Sequence, residues 1–445
     1  MQFPRLLLVR QNFPNRGIPD IAAEVRQQLS AAGFAGRLKP NARVAIGVGS
    51  RGIHHLAPIV RNVVQYWKDE GMRPFIFPAM GSHGAATAEG QADVLAHYGV
   101  TEASMGCSIV SQLDVVSLGK TAEGIEVFMD KAASEADGVM PVNRVKWHTD
   151  FNGGIESGLF KMMAIGMGKF AGAKRYHTHG FKMGLEAVVT SAGRQVLKSG
   201  KIIGGLAILE DANHNTGKLD AIPAEDMERR EREDLALVKS WMAKIPVDLD
   251  ILVVDEIGKD ISGTGMDTKV VNRSVIGAYN PWPNTAIIRR IFARELSPSS
   301  YGNGLGLGMA DIATDRLVNS VDWEATAVNV LTSTSLGGAH TPLHYPTDRE
   351  CLERITPTVG KFDPMEVTFG WIRNTLELTK LALSENLRGE IEQNPSLAIE
   401  GEMEFGFDGG GDLLSPFQPV DVERAILPAS RPSGRLDPLE SGSAA

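Results

Sequence analysis

The residues best suited to chemistry lie in one glycine-rich stretch between positions 146 and 179. It reads Lys146-Trp-His-Thr-Asp-Phe-Asn-Gly-Gly-Ile-Glu-Ser-Gly-Leu-Phe-Lys161 and ends in Lys174-Arg-Tyr-His177-Thr-His179. Gly153 and Gly154 let a bulky ligand approach the backbone closely, while Lys161 offers an amine and His177 an imidazole. Because glycines and histidines at this density do not suit a plain helix, we predict that the stretch cradles a cofactor.

Each of these residues also has an ordinary interpretation. The glycines can shape turns, Lys161 can be a solvated lysine, and His177 can be a packing histidine. A histidine with no thiol beside it cannot hold a transition metal alone, so most ligands of any metal here must come from a cofactor. His179 is a reserve for the same role, and His340 is a reserve for lining a substrate site.

Two further histidines are candidates for acid–base work. His83 lies in Gly81-Ser-His-Gly84, and His148 lies inside the glycine-rich stretch. An imidazole with a pKa near ~6.5 can take or give a proton at neutral pH, so this pair could act from the two faces of a carbon that bears a hydroxyl. The alternatives are a turn histidine for His83 and a packing partner of Trp147 for His148.

Two cationic side chains are candidates for binding anions. Arg51 stands between a predicted strand and a helix that could begin near His54, where a cofactor phosphate or a substrate carboxylate would be held. Lys259 follows a predicted strand and could reach a substrate carboxylate. A solvated arginine and a flexible surface lysine are the alternatives, and Ser262 to Gly265 could instead cradle phosphate through the backbone.

Composition excludes several classes of protein. The 445 residues are 43% hydrophobic and 22% charged, which is typical of a globular protein, and their number favours two domains. The formal net charge of -9 disfavours a nucleic-acid partner.

Two cysteines cannot build an iron–sulfur cluster or a four-thiolate zinc site, and they indicate a reducing compartment. Without a signal peptide or a span-length apolar run, we expect a cytoplasmic protein with no membrane partner.

Alternating apolar runs and helical periodicity predict an α/β fold. Arg43–Val48, Leu56–Lys68 and Pro74–Pro78 form a β-α-β unit after a first strand near the N-terminus. The loops Gly49-Ser-Arg-Gly52 and Gly81-Ser-His-Gly84 follow strand ends, where open sheets bind ligands. Further predicted strands are Ser108–Val110, Ile125–Met129 and Gly138–Pro141.

The second half predicts another α/β unit. Asp226 to Lys244 is predicted as a long exposed helix that connects the domains. Asp248–Val254, Ala286–Ile288 and Ala327–Leu331 are predicted strands, and Val367–Leu383 is a predicted helix. We therefore predict a domain of residues 1–245 with the cofactor-attachment and histidine residues, and a Rossmann-like domain of residues 246–423 closing over the substrate. Each domain is predicted to have a mixed or parallel sheet flanked by helices, with the active site in the cleft between the two domains. Residues 424–445 are predicted to form a tail that partly resembles a cloning scar.

The ordered set Arg51, His83, His148, Lys161 and His177 resembles the nickel-pincer nucleotide family whose founding activity is lactate racemase. The resemblance covers most of the chain, and the separation of 16 residues between Lys161 and His177 matches the family pattern. It implies that the cofactor is a pyridinium-3-thioamide-5-thiocarboxylic acid mononucleotide carrying Ni, and that Lys161 binds this cofactor covalently. It also implies that His177 is the protein ligand of the metal and that Lys259 matches a substrate-binding lysine of the second domain.

The implied function is an isomerase that racemises or epimerises a 2-hydroxy acid by hydride transfer, with His83 and His148 as alternating acid and base. The expected partners are the small-molecule substrate and the cofactor-synthesis proteins, and a homo-oligomer is left open. Leu159-Phe160 stand before Lys161, where lactate-specific members have a basic residue, so we do not assign lactate as the substrate. The alternatives are a non-catalytic or regulatory ligand-binding protein on the same scaffold and, third, a nicotinamide-dependent dehydrogenase, which the missing Gly-x-Gly-x-x-Gly fingerprint disfavours.

Overall fold

The computed structural model describes residues 1–49, 52–81 and 83–417, with the side chains of Ala85, His177 and Thr332 left aside. The strands of this part of the chain are β1 (Leu6–Gln11), β2 (Arg43–Val48), β3 (Arg73–Pro78), β4 (Val115–Lys120), β5 (Glu126–Asp130), β6 (Gly138–Arg144), β7 (Gly204–Glu210), β8 (Thr216–Pro223), β9 (Leu249–Ile257), β10 (Ile288–Leu296), β11 (Ile312–Thr314), β12 (Leu343–Tyr345), β13 (Phe369–Ile372), β14 (Lys380–Ser384) and β15 (Leu397–Met403).

The α-helices are α1 (Ile21–Ala32), α2 (Leu56–Asp69), α3 (Ala88–His97), α4 (Glu102–Met105), α5 (Lys131–Ser134), α6 (Leu159–Lys161), α7 (Lys169–Met183), α8 (Leu185–Lys198), α9 (Met227–Trp241), α10 (Thr268–Val271), α11 (Asp315–Asn319), α12 (Trp323–Ser333), α13 (Asp348–Ile355) and α14 (Arg388–Gln393). A π-helical turn, Met162–Gly166, joins α6 to the loop before α7. No helix of the described residues is long and apolar enough to cross a membrane.

The first sheet has five strands in the order β3-β2-β6-β7-β8, and β8 alone runs antiparallel to its neighbour. The predicted β-α-β unit is confirmed as β2, α2 and β3. Its strands are buried for most of their length because helices cover a parallel sheet, and this explains their continuous apolar runs. Since β2, β3 and β6 are parallel neighbours, the loops that follow them meet at one edge of the sheet.

Two predicted strands of this half lie outside that sheet. The run Ile125–Met129 corresponds to β5, which pairs with β4 in a separate two-stranded ribbon. The run Ser108–Val110 makes only an isolated bridge, from Ile109 to Ile76 beside β3. Periodicity thus identified extended backbone in both runs, but it did not identify the partner strand of either.

The second sheet has eight strands in the order β12-β11-β10-β9-β13-β14-β1-β15. The strands from β12 to β13 are parallel, whereas β14, β1 and β15 pair antiparallel. The α/β fold with two helix-flanked sheets is thus as predicted. Strand β1 belongs to this second sheet, so the predicted domain of residues 1–245 does not coincide with one sheet. The predicted tail from residue 424 lies outside the described residues.

Two predicted elements of the second half were wrong. Val367–Leu383 was predicted as a helix, but it folds as β13 and β14, whose Phe369 and Trp371 are fully buried in the core of the sheet. Ala327–Leu331 was predicted as a strand, but it lies inside α12, which begins where the Asp322 side chain accepts the Ala325 N–H. The short run 327–331 fits a helix or a strand, and a helix cap decides for the helix. The run 367–383 is long enough for a helix, but it contains two strands joined by a loop.

The predicted connector helix exists as α9, but it is not simply exposed. Its Glu231 and Asp234 side chains are buried against the first sheet, and Lys218 of β8 donates to Asp234 at 2.6 Å. One face of α9 therefore packs on the first sheet, although the sequence of this helix is strongly charged. The Lys218 ammonium offsets part of the cost of burying the Asp234 carboxylate.

Candidate functional site

Lys161 lies at the end of α6, just past the loop that follows β6. The buried carboxylate of Glu231 accepts the Phe160 N–H at 2.9 Å and so anchors the start of this turn. Burial raises the pKa of Glu231 to about 8. Gly158 makes room for this carboxylate, since a Cβ at that position would lie 2.3 Å from Glu231 Oε1. Glu231 of α9 thus fixes the backbone next to Lys161.

His148 meets Lys161 directly. The Lys161 Nζ lies 2.7 Å from His148 Nε2, and the Asp150 N–H donates to His148 Nδ1 at 3.0 Å. The imidazole stacks on Phe151 with 4.5 Å between ring centroids, and His148 is 8% exposed. Two residues singled out from the sequence are therefore in contact, and the imidazole has a fixed orientation.

The loop that carries His148 is organised around Glu156, whose side chain is fully buried. Its carboxylate accepts the His148 N–H at 2.5 Å and the Gly153 N–H at 2.9 Å. Lys269 pairs with the same carboxylate at 3.0 Å, and Lys239 pairs with its other oxygen. One carboxylate thus fixes both ends of the loop segment 148–153.

The second half of the chain holds the same loop through α10 and the residue before it. Trp147 Nε1 donates to Asp267 at 2.8 Å, and Thr268 Oγ1 donates to the Thr149 carbonyl at 2.5 Å. Lys269 Nζ donates to the carbonyls of His148, at 2.5 Å, and Phe151, at 2.7 Å. Burial lowers the pKa of Lys269, and the neighbouring Glu156 carboxylate opposes that shift. The His148 loop therefore contacts both halves of the chain.

Gly153 and Gly154, predicted to bind cofactor, face side chains of this chain. The Gly154 N–H donates to Glu186 Oε1 at 2.7 Å. A Cβ on Gly153 would lie 2.2 Å from Glu186 Cδ, and one on Gly154 would lie 2.0 Å from Arg232 Nη1. The close backbone approach expected here is thus made by Glu186 and Arg232. A cofactor contact at these glycines stays a prediction.

The loop that carries His83 packs on the turn after Lys161. The Gly81 N–H donates to the Gly166 carbonyl at 3.3 Å, and a Cβ on Gly81 would lie 3.0 Å from Ile165 Cγ2. The buried Gln91 amide donates to the carbonyls of Gly81, at 3.0 Å, and His83, at 3.4 Å. The contacts of Gly81 with Ile165 and Gly166 bring the His83 loop to the Lys161 segment. The His83 residue is half-buried.

A buried lysine, Lys169, contacts the residues that hold the His83 loop. Lys169 is fully buried, pairs with buried Asp130 at 3.2 Å, and donates to the Pro78 carbonyl at 2.6 Å and to Gln91 Oε1 at 3.2 Å. Burial lowers the pKa of Lys169 and raises that of Asp130. The same Gln91 amide that holds His83 is therefore itself oriented by an ion pair.

The predicted anion site at Arg51 lies outside the described residues. Next to it, the Gly52 carbonyl accepts from Arg144 Nη1 at 3.0 Å, and Arg144 pairs with Glu210 of β7. On the other side, a Cβ on Gly49 would lie 3.2 Å from Met162 Cε. The described residues flanking Arg51 thus reach the Lys161 segment and the edge of the first sheet.

His177 lies in α7, but its side chain is outside the described part of the structure, so its role as metal ligand stays a prediction. The expectation that the stretch avoids a plain helix holds for residues 146–158 and for the π-helical turn Met162–Gly166, but it was wrong for the part that carries His177, because α7 is continuous from Lys169 to Met183. Gly172 leaves space for the Tyr176 ring, which a Cβ would meet at 2.8 Å. His179, the reserve, is half-buried on the same helix.

Lys259 is engaged within the second half. Its Nζ donates to the Gly263 carbonyl at 2.7 Å and to Asn329 Oδ1 at 2.9 Å, and its backbone N–H donates to Ser300. It therefore helps to hold the loop after β9, and its contact with a substrate stays a prediction. His340 is exposed. Within the described residues, no group of three or more His, Cys, Asp or Glu side chains could hold a metal ion.

The residues that sequence reasoning missed are the ones that position the site: Glu156, Glu186, Glu231, Lys169 and Lys269. They carry no motif, and their partners are distant in sequence: Lys269 contacts Glu156, 113 positions away, and the His148 carbonyl, 121 positions away. The one available signal was Glu156, an acidic residue inside the glycine-rich stretch.

No protein-family model matches the chain, and no curated protein sequence matches it. Among solved structures, the chain is similar to the lactate racemase apoprotein from Thermoanaerobacterium thermosaccharolyticum, with a TM-score of 0.46 and 13% sequence identity. The similarity covers 80% of this chain and 91% of that chain. At this identity and TM-score it assigns neither a family nor an activity to the chain.

Proposed function

We propose that the chain is a racemase or epimerase of a 2-hydroxy acid that works with a nickel-pincer nucleotide attached to Lys161. The observation that carries the proposal is the 2.7 Å contact between Lys161 Nζ and His148 Nε2, in a loop held by both halves of the chain. It places an amine for attachment beside an imidazole for proton transfer. These two groups are also the centre of the sequence resemblance.

The residues present fit such a group at its attachment point. A lysine amine forms an amide-type bond with an activated carboxyl or thiocarboxyl group, and Lys161 stands at the edge where the loops after β2, β3 and β6 converge. His177 would supply the protein ligand to the metal. The space at Gly153 and Gly154 is filled by Glu186 and Arg232, so the fit rests on Lys161 rather than on the glycines.

The reaction requires removal of hydrogen from C2 of the substrate and its return to the opposite face. The neighbouring carboxylate opposes negative charge at C2, so the hydrogen leaves with its electron pair; the bound cofactor supplies an electron-poor centre for it. His148 takes the hydroxyl proton for one enantiomer and His83 for the other, each returning it in the reverse direction. Fixed imidazole orientation serves this role because a proton acceptor must face the hydroxyl.

A cationic site must hold the substrate carboxylate so that C2 presents one face at a time. Arg51 and Lys259 are the candidates, one from the first sheet's edge and one from the loop after β9. Lys259 would exchange its present contacts with Gly263 and Asn329 for the carboxylate.

The test is metal analysis and intact mass on chain co-expressed with cofactor-synthesis proteins, followed by chiral chromatography of 2-hydroxy acids. We expect near-stoichiometric nickel and a mass adduct in the unaltered chain, no adduct in Lys161→Ala, and loss of nickel in His177→Ala. Lys174→Ala, at an exposed lysine of α7, is the matched control and should keep both. His179→Ala separates the two histidines of that helix.

Nickel without an adduct would retain the racemase but make the cofactor noncovalent. Loss of nickel in His179→Ala rather than His177→Ala would move the metal ligand by two positions. Absence of both nickel and adduct in the co-expressed chain would overturn the proposal and favour a ligand-binding protein on the same scaffold.

A further inference from the structure

A cavity lies at the amino-terminal ends of the parallel strands of the second sheet. Its volume is about 210 Å³, and its walls come from the loop before β10, the start of β10 and the turn after α13. Two of the lining residues are arginines and none is acidic: Tyr279, Asn280, Arg289, Arg290, Thr358 and Val359. Pockets for drug-sized ligands usually measure about 300–1,000 Å³, so this cavity suits a small anionic group.

The cavity is separate from the candidate site. Arg290 lies near the start of β10, whereas Leu296, at the other end of β10, pairs with Ile257 of the parallel strand β9. The stretch from Arg290 to Leu296 spans about 20 Å at a rise of about 3.3 Å per residue. Since Lys259 follows Ile257, the cavity lies at the opposite edge of the sheet from the loop that carries Lys259.

Arg290 shares its carboxylate partner with a buried arginine. Asp311 lies 3.6 Å from Arg273 Nη2 and 4.0 Å from Arg290 Nη1. The Tyr279 hydroxyl donates to the same carboxylate at 3.1 Å, and the Tyr279 ring covers the buried Arg273 guanidinium, with 4.3 Å from its carbon to the ring centroid. One carboxylate therefore serves two guanidinium groups, and one positive charge on this wall is not balanced.

Arg289 also shares its carboxylate partner. Asp250 lies 3.1 Å from Arg289 Nε and 2.6 Å from Lys361 Nζ. The Arg289 side chain is 61% exposed, and its two terminal nitrogens donate no hydrogen bond to the described residues. Asp248, which accepts the Ile287 N–H at 2.8 Å, is a further carboxylate at this edge. Even with Asp248 included, the charged groups around the cavity carry a net positive charge.

The Arg290 guanidinium is already oriented by the protein. Its Nε donates to Thr358 Oγ1 at 3.0 Å, its Nη2 to the Thr358 carbonyl at 3.1 Å, and its Nη1 to the Arg289 carbonyl at 3.0 Å. A guanidinium has five N–H donors, so two of them remain for a ligand. An arginine held in this way loses little side-chain freedom when an anion binds.

We propose that this cavity binds a phosphate group, either as free phosphate or as the phosphate of a small metabolite. Arg289 contributes its terminal nitrogens and Arg290 its two remaining N–H groups, and planar guanidinium groups match the spacing of phosphate oxygens. The phosphate dianion balances the surplus charge better than a carboxylate, which carries one negative charge. This binding site goes beyond the proposed function and does not depend on it.

The test is calorimetric titration of the full chain with inorganic phosphate at constant ionic strength and about pH 8, where phosphate carries close to two negative charges. We expect saturable binding with a Kd of about 1 mM or lower, and acetate should bind at least about tenfold more weakly. Arg289→Gln and Arg290→Gln should each raise the Kd for phosphate at least about tenfold, because each removes charged hydrogen-bond donors. Arg229→Gln is the matched control, since Arg229 of α9 is equally exposed and paired, and it should leave the Kd unchanged.

Hydrogen exchange locates the bound phosphate. Phosphate should slow exchange across residues 274–290 in the unaltered chain and not in Arg289→Gln, and thermal unfolding curves check that both variants fold. If neither variant folds, the exchange pattern of the unaltered chain decides alone. A glycerol phosphate that binds more tightly than inorganic phosphate supports a metabolite as the ligand, and one that binds more weakly supports free phosphate.

Four results would each overturn the proposal. These are no saturable binding of phosphate, an unchanged Kd in both arginine variants, acetate binding as tightly as phosphate, and protection from exchange confined to residues outside 274–290.

Discussion

Replacing Lys169 by methionine should destabilise the chain strongly, because it leaves the Asp130 carboxylate buried without its cation. Both side chains are fully buried and their charged atoms lie 3.2 Å apart. With an effective dielectric constant of about 20, their attraction is about 5 kcal/mol. Removal of one partner of a buried pair typically costs about 3–5 kcal/mol, and we expect Lys169→Met to lie in that range.

The double variant Lys169→Met with Asp130→Leu tests the reasoning. Burial lowers the pKa of Lys169 and raises that of Asp130, so each charge is disfavoured by its surroundings. Removing both charges should therefore recover most of the loss, leaving the double variant within about 1–2 kcal/mol of the unaltered chain. Urea unfolding measures each free energy, and Lys174→Met on the exposed face of α7 is the control. A single variant that loses less than about 1 kcal/mol, or a double variant that loses the sum, would refute the argument.

Three further outcomes follow from the site. Gly158→Ala should cost about 1–3 kcal/mol of unfolding free energy because its Cβ would meet Glu231 at 2.3 Å, whereas Gly389→Ala, with open space, should be neutral or stabilising; equal effects would contradict this. Burial raises the pKa of Glu231 from 4.5 to about 8, so between these pH values the folded chain keeps a proton that the unfolded chain loses. The free energy of unfolding should therefore fall by up to about 1.4 kcal/mol per pH unit as the pH rises from 4.5 to about 8. Glu231→Gln should remove this slope in unfolding curves measured across the window, and an unchanged slope would assign it elsewhere. Lys269→Met should speed hydrogen exchange across residues 148–156, with Lys244→Met as the control, and unchanged protection would show that Lys269 does not hold the loop.

The parts of the fold that were predictable are those with long, regular patterns. The β2, α2 and β3 unit follows from two continuous apolar runs separated by a helical period. The run at 327–331 was assigned wrongly because a short apolar segment suits helices and strands alike, and the run at 367–383 because two strands and their loop were taken as one helix. Asp322, which caps α12, and the pairing of β13 with β9 and β14 settle them.

At the candidate site, His148 and Lys161 were singled out from the sequence because they lie in a glycine-rich stretch that carries an amine and imidazoles. Only the tertiary structure decided that these two side chains touch, which nitrogen of His148 faces Lys161, and that Glu156 and Lys269 hold their loop. The pair from Lys269 to Glu156 joins residues 113 positions apart. Such partners are brought together by the packing of α10 against the loop that follows β6, and local sequence patterns carry no record of that packing.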